Sequence, residues 1–230
     1  GQFRQVVPEQ LVEMIGRARK YLEQIVAFAR CGVAFGDGGG REHRCFEFCV
    51  RVEADLDLDK ALHGKAEVIR YCDDFVIGFQ RREDAERVME VLGKRLAKYG
   101  LSLQPEKTRL IAFERPPKTQ TKGKGPGRFD FLGFSWYWRR ARTGTWVLAS
   151  KTRPVRLAKS IRAISQWCRR YRHKPIPEQH AALRSRIQGH LNYFGVSGNG
   201  DSVVCFVSEV TRVWYKWLAR RGQRRPFLPD

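Results

Sequence analysis

The sequence predicts an α+β chain, and three observations predict it. Two β-rich runs meet across the acidic pair Asp73-Asp74, an amphipathic helix comes directly after them, and everything beyond Pro154 carries apolar stripes at helical spacing.

Taken in order, residues 8 to 30 read as an amphipathic helix. Pro8 opens it, and Leu11, Met14, Ile15, Ala18, Leu22, Ile25, Val26 and Ala29 recur at steps of three and four. Residues 31 to 60 give no clear period. Gly36 to Gly40 is a loop, and Glu53 to Lys60 alternates charges with Leu56 and Leu58. From Lys65 the pattern sharpens. Glu67 to Cys72 and Phe75 to Phe79 form a hairpin with Asp73 and Asp74 in its turn, their side chains reachable by solvent. Arg82 to Tyr99 is a helix with Ala85, Val88, Leu92, Leu96 and Tyr99 on one face and Gly100 ending it. Leu101 to Leu103 and Arg109 to Phe113 are short strands around the turn Pro105-Glu106-Lys107-Thr108. The Lys-, Gly-, Pro- and Thr-rich stretch Pro116 to Arg128 reads as a flexible basic loop. Phe129 to Trp138 and Thr145 to Leu148 suggest another hairpin.

Three helices complete the chain. Val155, Ile161, Ile164, Trp167, Cys168 and Tyr171 mark the first; Leu183, Ile187, Leu191 and Phe194 the second. Val203, Val207, Val210, Val213, Trp214, Trp217 and Leu218 mark the third, after a Gly198-Asn199-Gly200-Asp201 loop and a Ser202 cap. The three stripes are expected to bury one small core. The organisation is therefore a segment over 1 to 64 without clear assignment, an α+β region over 65 to 150 and an all-α region over 151 to 230.

Charge narrows the partner. The 230 residues carry a formal +20, but residues 1 to 80 hold 11 basic against 13 acidic, residues 81 to 150 hold 16 against 7, and residues 151 to 230 hold 17 against 4. A surface of that sign attracts polyphosphates by releasing condensed counterions, whatever their sequence. Aromatic side chains are interleaved with the cations, as in Trp136-Tyr137-Trp138-Arg139-Arg140 and Trp167 to Arg172, which adds stacking platforms to phosphate contacts. Nucleic acid is the leading partner.

Other classes lack their signals. Apolar runs such as Ile25 to Ala29 and Val203 to Val207 fall far short of the roughly 20 residues a span needs, so no membrane helix is expected. Gly1-Gln2-Phe3-Arg4 is not a secretory signal and has no initiator Met, which reads as a fragment or a start within a longer frame. Cys31, Cys45, Cys49, Cys72, Cys168 and Cys205 show no paired spacing and read as free thiols in the cytoplasm; Cys45 and Cys49 with His43 and His63 fit no common zinc pattern.

Asp73-Asp74 is the sharpest chemical feature. Adjacent carboxylates repel, which favours either exposure or a divalent cation held by hard oxygen ligands, as two-metal nucleotidyl transfer requires. An Asp-Asp pair is equally an ordinary turn choice, so the local segment leaves both readings open.

The order of the downstream segments separates them. Arg70-Tyr71-Cys72-Asp73-Asp74-Phe75-Val76, then a helix, then Gly100-Leu101-Ser102-Leu103 with Glu106-Lys107-Thr108, then Phe129-Asp130-Phe131-Leu132-Gly133-Phe134, resembles motifs C, D and E of the palm of group II intron reverse transcriptases. Ile187-Gln188-Gly189-His190-Leu191-Asn192-Tyr193-Phe194-Gly195-Val196 and Trp214 to Arg221 resemble the maturase, or thumb, domain that comes after it. The resemblance covers about residues 65 to 225.

It implies a partial reverse-transcriptase palm over 65 to 150 and a three-helix thumb/maturase domain over 151 to 230. Asp73 would be the metal ligand of motif C and Asp74 its catalytic neighbour, with Mg²⁺ as cofactor; Cys72 stands where the family commonly has Ala. Lys107 matches the motif D lysine, a candidate proton donor to pyrophosphate, and is equally readable as a surface Lys in a turn. Phe131, Leu132 and Gly133 match the primer grip. Arg139, Arg140, Lys151, Arg153, Arg156, Lys159, Arg169, Arg170, Arg172 and Arg184 would contact phosphates of structured intron RNA or of a template-primer, although a solvated face accounts for any one of them alone.

Motif A, with the family's first catalytic aspartate, and the Pro-Gln-Gly of motif B lie upstream of motif C in that family. Residues 1 to 64 match neither: Asp55, Asp57 and Asp59 stand too close to Asp73, and no Pro-Gln precedes Gly38-Gly39-Gly40. A shifted reading frame before about residue 60 would explain both losses. Three functions are compatible with this pattern: RNA-directed DNA synthesis by a mobile-element enzyme, a non-catalytic module that binds intron RNA and assists splicing, or a decayed remnant. The sequence sets no oligomeric state.

Overall fold

The computed structural model describes residues 24–26, 31–33, 62–71, 74–98, 101–119 and 127–222; at 24–26, 31–33, 70, 101 and 102 it describes the backbone alone. The chain divides into two compact units, one made of Gln10–Leu132 and Trp136–Ala149, the other of Gly1–Glu9, Gly133–Ser135 and Ser150–Asp230. Mixed helices and small sheets make it an α+β chain, as expected.

In the first unit, β1 (Gln24–Val26), β3 (Ala66–Tyr71), β4 (Asp74–Phe79) and β6 (Leu110–Ala112) form one sheet in the order β3-β4-β1-β6. Its pairings are antiparallel. β4 lies inside the sheet, and from Phe75 to Phe79 every residue is buried, which explains its unbroken apolar run. Phe75, Ile77 and Phe79 face the α1 helix (Arg82–Ala97), whose Ala85, Val88, Leu92 and Leu96 recur at steps of three and four and close the core with them. Acidic Glu83 and Asp84 in the first turn of α1 and Lys94 and Arg95 in the last match the helix dipole. Asp84 is buried, and its carboxylate accepts the backbone N–H groups of His63 at 3.2 Å and Gly64 at 2.8 Å, fixing the chain as it enters β3.

Two segments near the start of the chain differ from the sequence reading. Residues 24–26 are not helical: β1 pairs with β4 through Ile25 opposite Gly78 and with β6 through Ile25 opposite Ile111. Ile25 and Val26 are β-branched, and a slot between two strands satisfies the backbone on both sides, so tertiary pairing outweighs a helical period that Leu22, Ile25 and Val26 also fit. Residues 31–33, which show no period in the sequence, form β2 (Cys31–Val33), paired antiparallel with the expected strand β5 (Leu101–Leu103). The rest of the predicted 8 to 30 helix, Tyr99 and Gly100, and the loop residues 120–126 lie outside the described residues.

β7 (Arg128–Phe131), β8 (Phe134–Arg140) and β9 (Trp146–Thr152) make a three-stranded sheet in that order. In the first unit Phe113 is fully buried, edge-on to Phe129 at 4.9 Å and tilted against Trp138 at 5.6 Å, whose indole N–H donates to the Phe113 carbonyl at 3.1 Å.

The second unit holds the α2 helix (Pro154–Tyr171), α3 (Ile176–Phe194) and α4 (Gly200–Ala219). Ile164 and Cys168 of α2, Leu183 of α3 and Phe206 and Val210 of α4 form its buried core. Gln179 sits inside it, donating to the carbonyls of Arg172 at 3.2 Å and Lys174 at 2.7 Å and accepting the Trp214 indole N–H at 3.1 Å. It satisfies the orphan carbonyls beyond the C-terminal turn of α2 and ties α3 to α4. Two details of the expected helices change. Val155 is 68% exposed, because nine residues at about 100° each put it half a turn from Ile164. Ser202 is not the cap of α4: the helix starts at Gly200, with Asn199 at the cap position and no side-chain cap bond. The Asn199 side chain is committed elsewhere. It donates to Thr152 Oγ1 at 2.8 Å and the Phe194 carbonyl at 2.7 Å, and accepts the Thr152 N–H at 2.7 Å.

Candidate nucleic-acid interface

The acidic hairpin forms in register. Tyr71 pairs with Asp74, so the ladder ends there and Asp74 is the first, half-buried residue of β4 rather than part of the turn. The connection is Cys72-Asp73, shifted by one residue from the expected Asp73-Asp74 turn; the structure of Asp73 lies outside the described residues. Lys107 is exposed in the turn before β6, where its own N–H and that of Thr108 both donate to the Gln104 carbonyl at 3.0 Å.

Register shows how these pieces are placed. β1 pairs Val26 with Ile77 on one side and with Leu110 on the other, so β4 and β6 run the same way with Ile77 and Leu110 level. Asp74 precedes Ile77 by three residues and Lys107 precedes Leu110 by three. Both therefore lie toward the same end of the sheet, Asp74 at the start of β4 and Lys107 before β6, strands that β1 separates. As a metal site the described part is not sufficient: among the described residues no group of three or more His, Cys, Asp or Glu side chains could hold an ion. Asp74 alone fits one carboxylate of a Mg²⁺ site, and a bound ion needs further oxygen ligands beside it.

The segment Phe131, Leu132 and Gly133 is a tight turn. Phe131 is buried at the end of β7, and Leu132 and Gly133 have φ of +49° and +83°. Positive φ at both central residues matches the twist of the flanking strands but is costly for a branched side chain such as Leu132, a strain of the kind that marks functional turns. In the helical unit, the Gly133 carbonyl accepts the N–H of Arg153 at 2.9 Å, and a Cβ on Gly133 would lie 3.4 Å from the Phe194 ring. Gly133→Ala is therefore expected to cost about 1 to 2 kcal/mol, mostly through φ, in a urea or thermal unfolding midpoint. A loss below about 0.5 kcal/mol would mean the turn relaxes freely.

Of the cations singled out from the sequence, Arg139, Arg140, Arg153, Arg156, Lys159, Arg169, Arg170, Arg172 and Arg184 are exposed and Lys151 is half-buried. Arg140 is held by its Nε donating to the Gly144 carbonyl at 2.9 Å. α2 gathers the densest group. Arg156, Lys159, Arg162, Arg169 and Arg170 are all exposed, and the helix contains no acidic residue. The ion pairs resolved among the described residues, Arg82 with Glu86, Lys174 with Glu178 and Arg212 with Glu209, leave this face unneutralised. Sequence reading passed over Arg162 and Arg186. For Arg162 the signal was available in the helical period, since it lies off the Ile161, Ile164 and Cys168 stripe in a helix without acidic residues.

Two titratable groups of the helical unit, buried Cys168 and half-buried His190, are chemically quiet. Burial pushes the Cys168 thiol up to about 11, so it stays protonated and unreactive. His190, its ring 3.6 Å from that of Phe206, is held below the usual histidine range by burial and then by the nearby Arg156 charge. It packs as a neutral aromatic.

Among known families, residues 49–136 match the model of the reverse transcriptase (RNA-dependent DNA polymerase). The match begins at Cys49, upstream of where the motif resemblance starts, takes in the acidic hairpin, α1, the Lys107 turn and the Leu132-Gly133 turn, and ends at Trp136. It supports reverse transcription in general and does not extend to the three helices. No curated protein matches the chain. No described helix is long and apolar enough to cross a membrane.

Proposed function

We propose that the chain is the C-terminal part of a group II intron reverse transcriptase/maturase, and that its principal activity as an isolated chain is to bind structured intron RNA. The family match over residues 49–136 supports the polymerase ancestry of the first unit. The observation that carries the binding reading is α2, whose five exposed cations share one helix surface that holds no acidic residue. In this reading Asp73 and Asp74 are the motif C pair that would hold Mg²⁺, Lys107 the motif D lysine, and Phe131 to Gly133 the primer grip.

Full polymerase chemistry is the second reading, and the family match favours it. Two-metal catalysis needs carboxylates from two separate strands to fix both ions, and only the pair at 73 and 74 corresponds to such a motif. Primer extension on an RNA template with Mg²⁺, run beside a gel shift with a structured RNA, separates the two. The expected outcome is a shifted RNA with negligible extension. Robust extension that Asp73→Ala abolishes would overturn the binding-only reading and point to a third ligand upstream.

A further inference from the structure

At the open edge between α2 and α3, the Arg186 guanidinium lies over the Trp167 ring, 4.6 Å from its centroid. Nη1 of the same guanidinium donates to the Ala182 carbonyl at 3.2 Å, which tethers the group over the indole although Arg186 is exposed. Trp167 in turn leans on Tyr171 at 5.4 Å, and Tyr171 has Arg170 and Lys174 at 5.8 and 5.5 Å from its ring. α2 contains no acidic residue and α3 only Glu178, which pairs with Lys174 at 3.4 Å. The local sign is positive, and the Trp167 and Tyr171 rings lie side by side, tilted 42° to each other.

We propose that this edge is a stacking platform for an unpaired nucleobase of RNA, with Arg186 as its outer layer and Arg170 as a phosphate contact beside it. The proposal rests on the RNA-binding reading above and adds the part of the RNA that is recognised. A tethered guanidinium over an indole places a planar cation beside an aromatic ring at an exposed edge, and bases stack on aromatic rings and on guanidinium planes alike. Duplex RNA cannot use such a face, because its bases are already stacked; a loop, bulge or single-stranded end can. Lysine would keep the charge at this position but not the plane.

The test uses the full 230-residue chain and two RNAs: a hairpin with a purine loop carrying a fluorescent 2-aminopurine, and a blunt duplex of the same stem. The unaltered protein is expected to bind the hairpin and quench the 2-aminopurine on stacking. Arg186→Lys is expected to bind the hairpin about tenfold more weakly and to lose the quenching, while duplex binding and unfolding temperature stay put. Equal hairpin binding by Arg186→Lys with quenching retained would overturn the platform, as would a matching loss on the duplex. Failure of the unaltered protein to bind either RNA would sink the RNA-binding reading itself, and the platform with it.

Discussion

Asn199→Ala is expected to lower stability of the helical unit by about 2 to 3 kcal/mol. Asn199 is 1% exposed and makes three hydrogen bonds of 2.7 to 2.8 Å. Two go to Thr152, at the end of β9, and one to the carbonyl of Phe194, at the end of α3. Alanine removes all three at once. It leaves the Thr152 N–H buried without that partner, costing about 1 to 3 kcal/mol, while the Phe194 carbonyl keeps the Val196 N–H at 2.9 Å. Domains of this size hold only about 5 to 15 kcal/mol in total, so the shift would be plain in a urea midpoint. Ser202→Ala is the matched control. Since Ser202 does not cap α4, its removal should stay within about 0.5 kcal/mol. If the two variants lose similar amounts, the Asn199 network is not what joins β9, α3 and α4.

That pair of substitutions also shows where the sequence was readable. A Ser before an apolar run is a local signal, and it points to Ser202. The true junction links Thr152 to Asn199, 47 residues apart, and no local window contains both ends. The same division runs through the first unit. The β3-β4 hairpin and α1 were legible because their faces are set by periods of 2 and 3.6 in adjacent residues, with Phe75, Ile77 and Phe79 answered by Ala85, Val88, Leu92 and Leu96. β1 was not, because a three-residue strand is chosen by its neighbours β4 and β6 rather than by its own sequence.

The candidate site was legible to a similar depth. Adjacent carboxylates beside an apolar run located the hairpin end, but the register was set by Tyr71 pairing with Asp74, and that moved Asp74 out of the turn and into the strand. That Lys107 stands at the same end of the sheet depends on β1 lying between β4 and β6, the strand the sequence concealed. Exposed arginines were legible as a class. Which of them lies over a ring depended on α3 lying beside α2, so Arg186 was invisible while Trp167 was not.

The second large effect is on binding rather than folding. Replacing Arg169, Arg170 and Arg172 together by Ala is expected to flatten the dependence of log affinity for structured RNA on log salt by about two to three units, at 0.7 to 0.9 for each phosphate no longer neutralised. Between about 50 and 200 mM salt, the ratio of unaltered to variant affinity should then shrink by roughly 20- to 40-fold. The fold should survive. All three side chains are exposed, and Arg169 and Arg170 come directly after Cys168 without joining the Ile164, Cys168, Leu183, Phe206 and Val210 core. Some stability is still lost, because Arg169 and Arg170 occupy the last turn of α2, where positive charge meets the negative end of the helix dipole. That contribution is about 0.3 to 1 kcal/mol for each at low ionic strength, and salt screens it along with the binding. Measuring affinity against salt for both proteins, with an unfolding midpoint at each salt concentration, keeps the two effects apart. An unchanged slope with a weakened midpoint would assign these arginines to the helix end alone. The RNA-contacting face would then have to be sought on Arg156, Lys159 and Arg162, which lie nearer the start of the same helix.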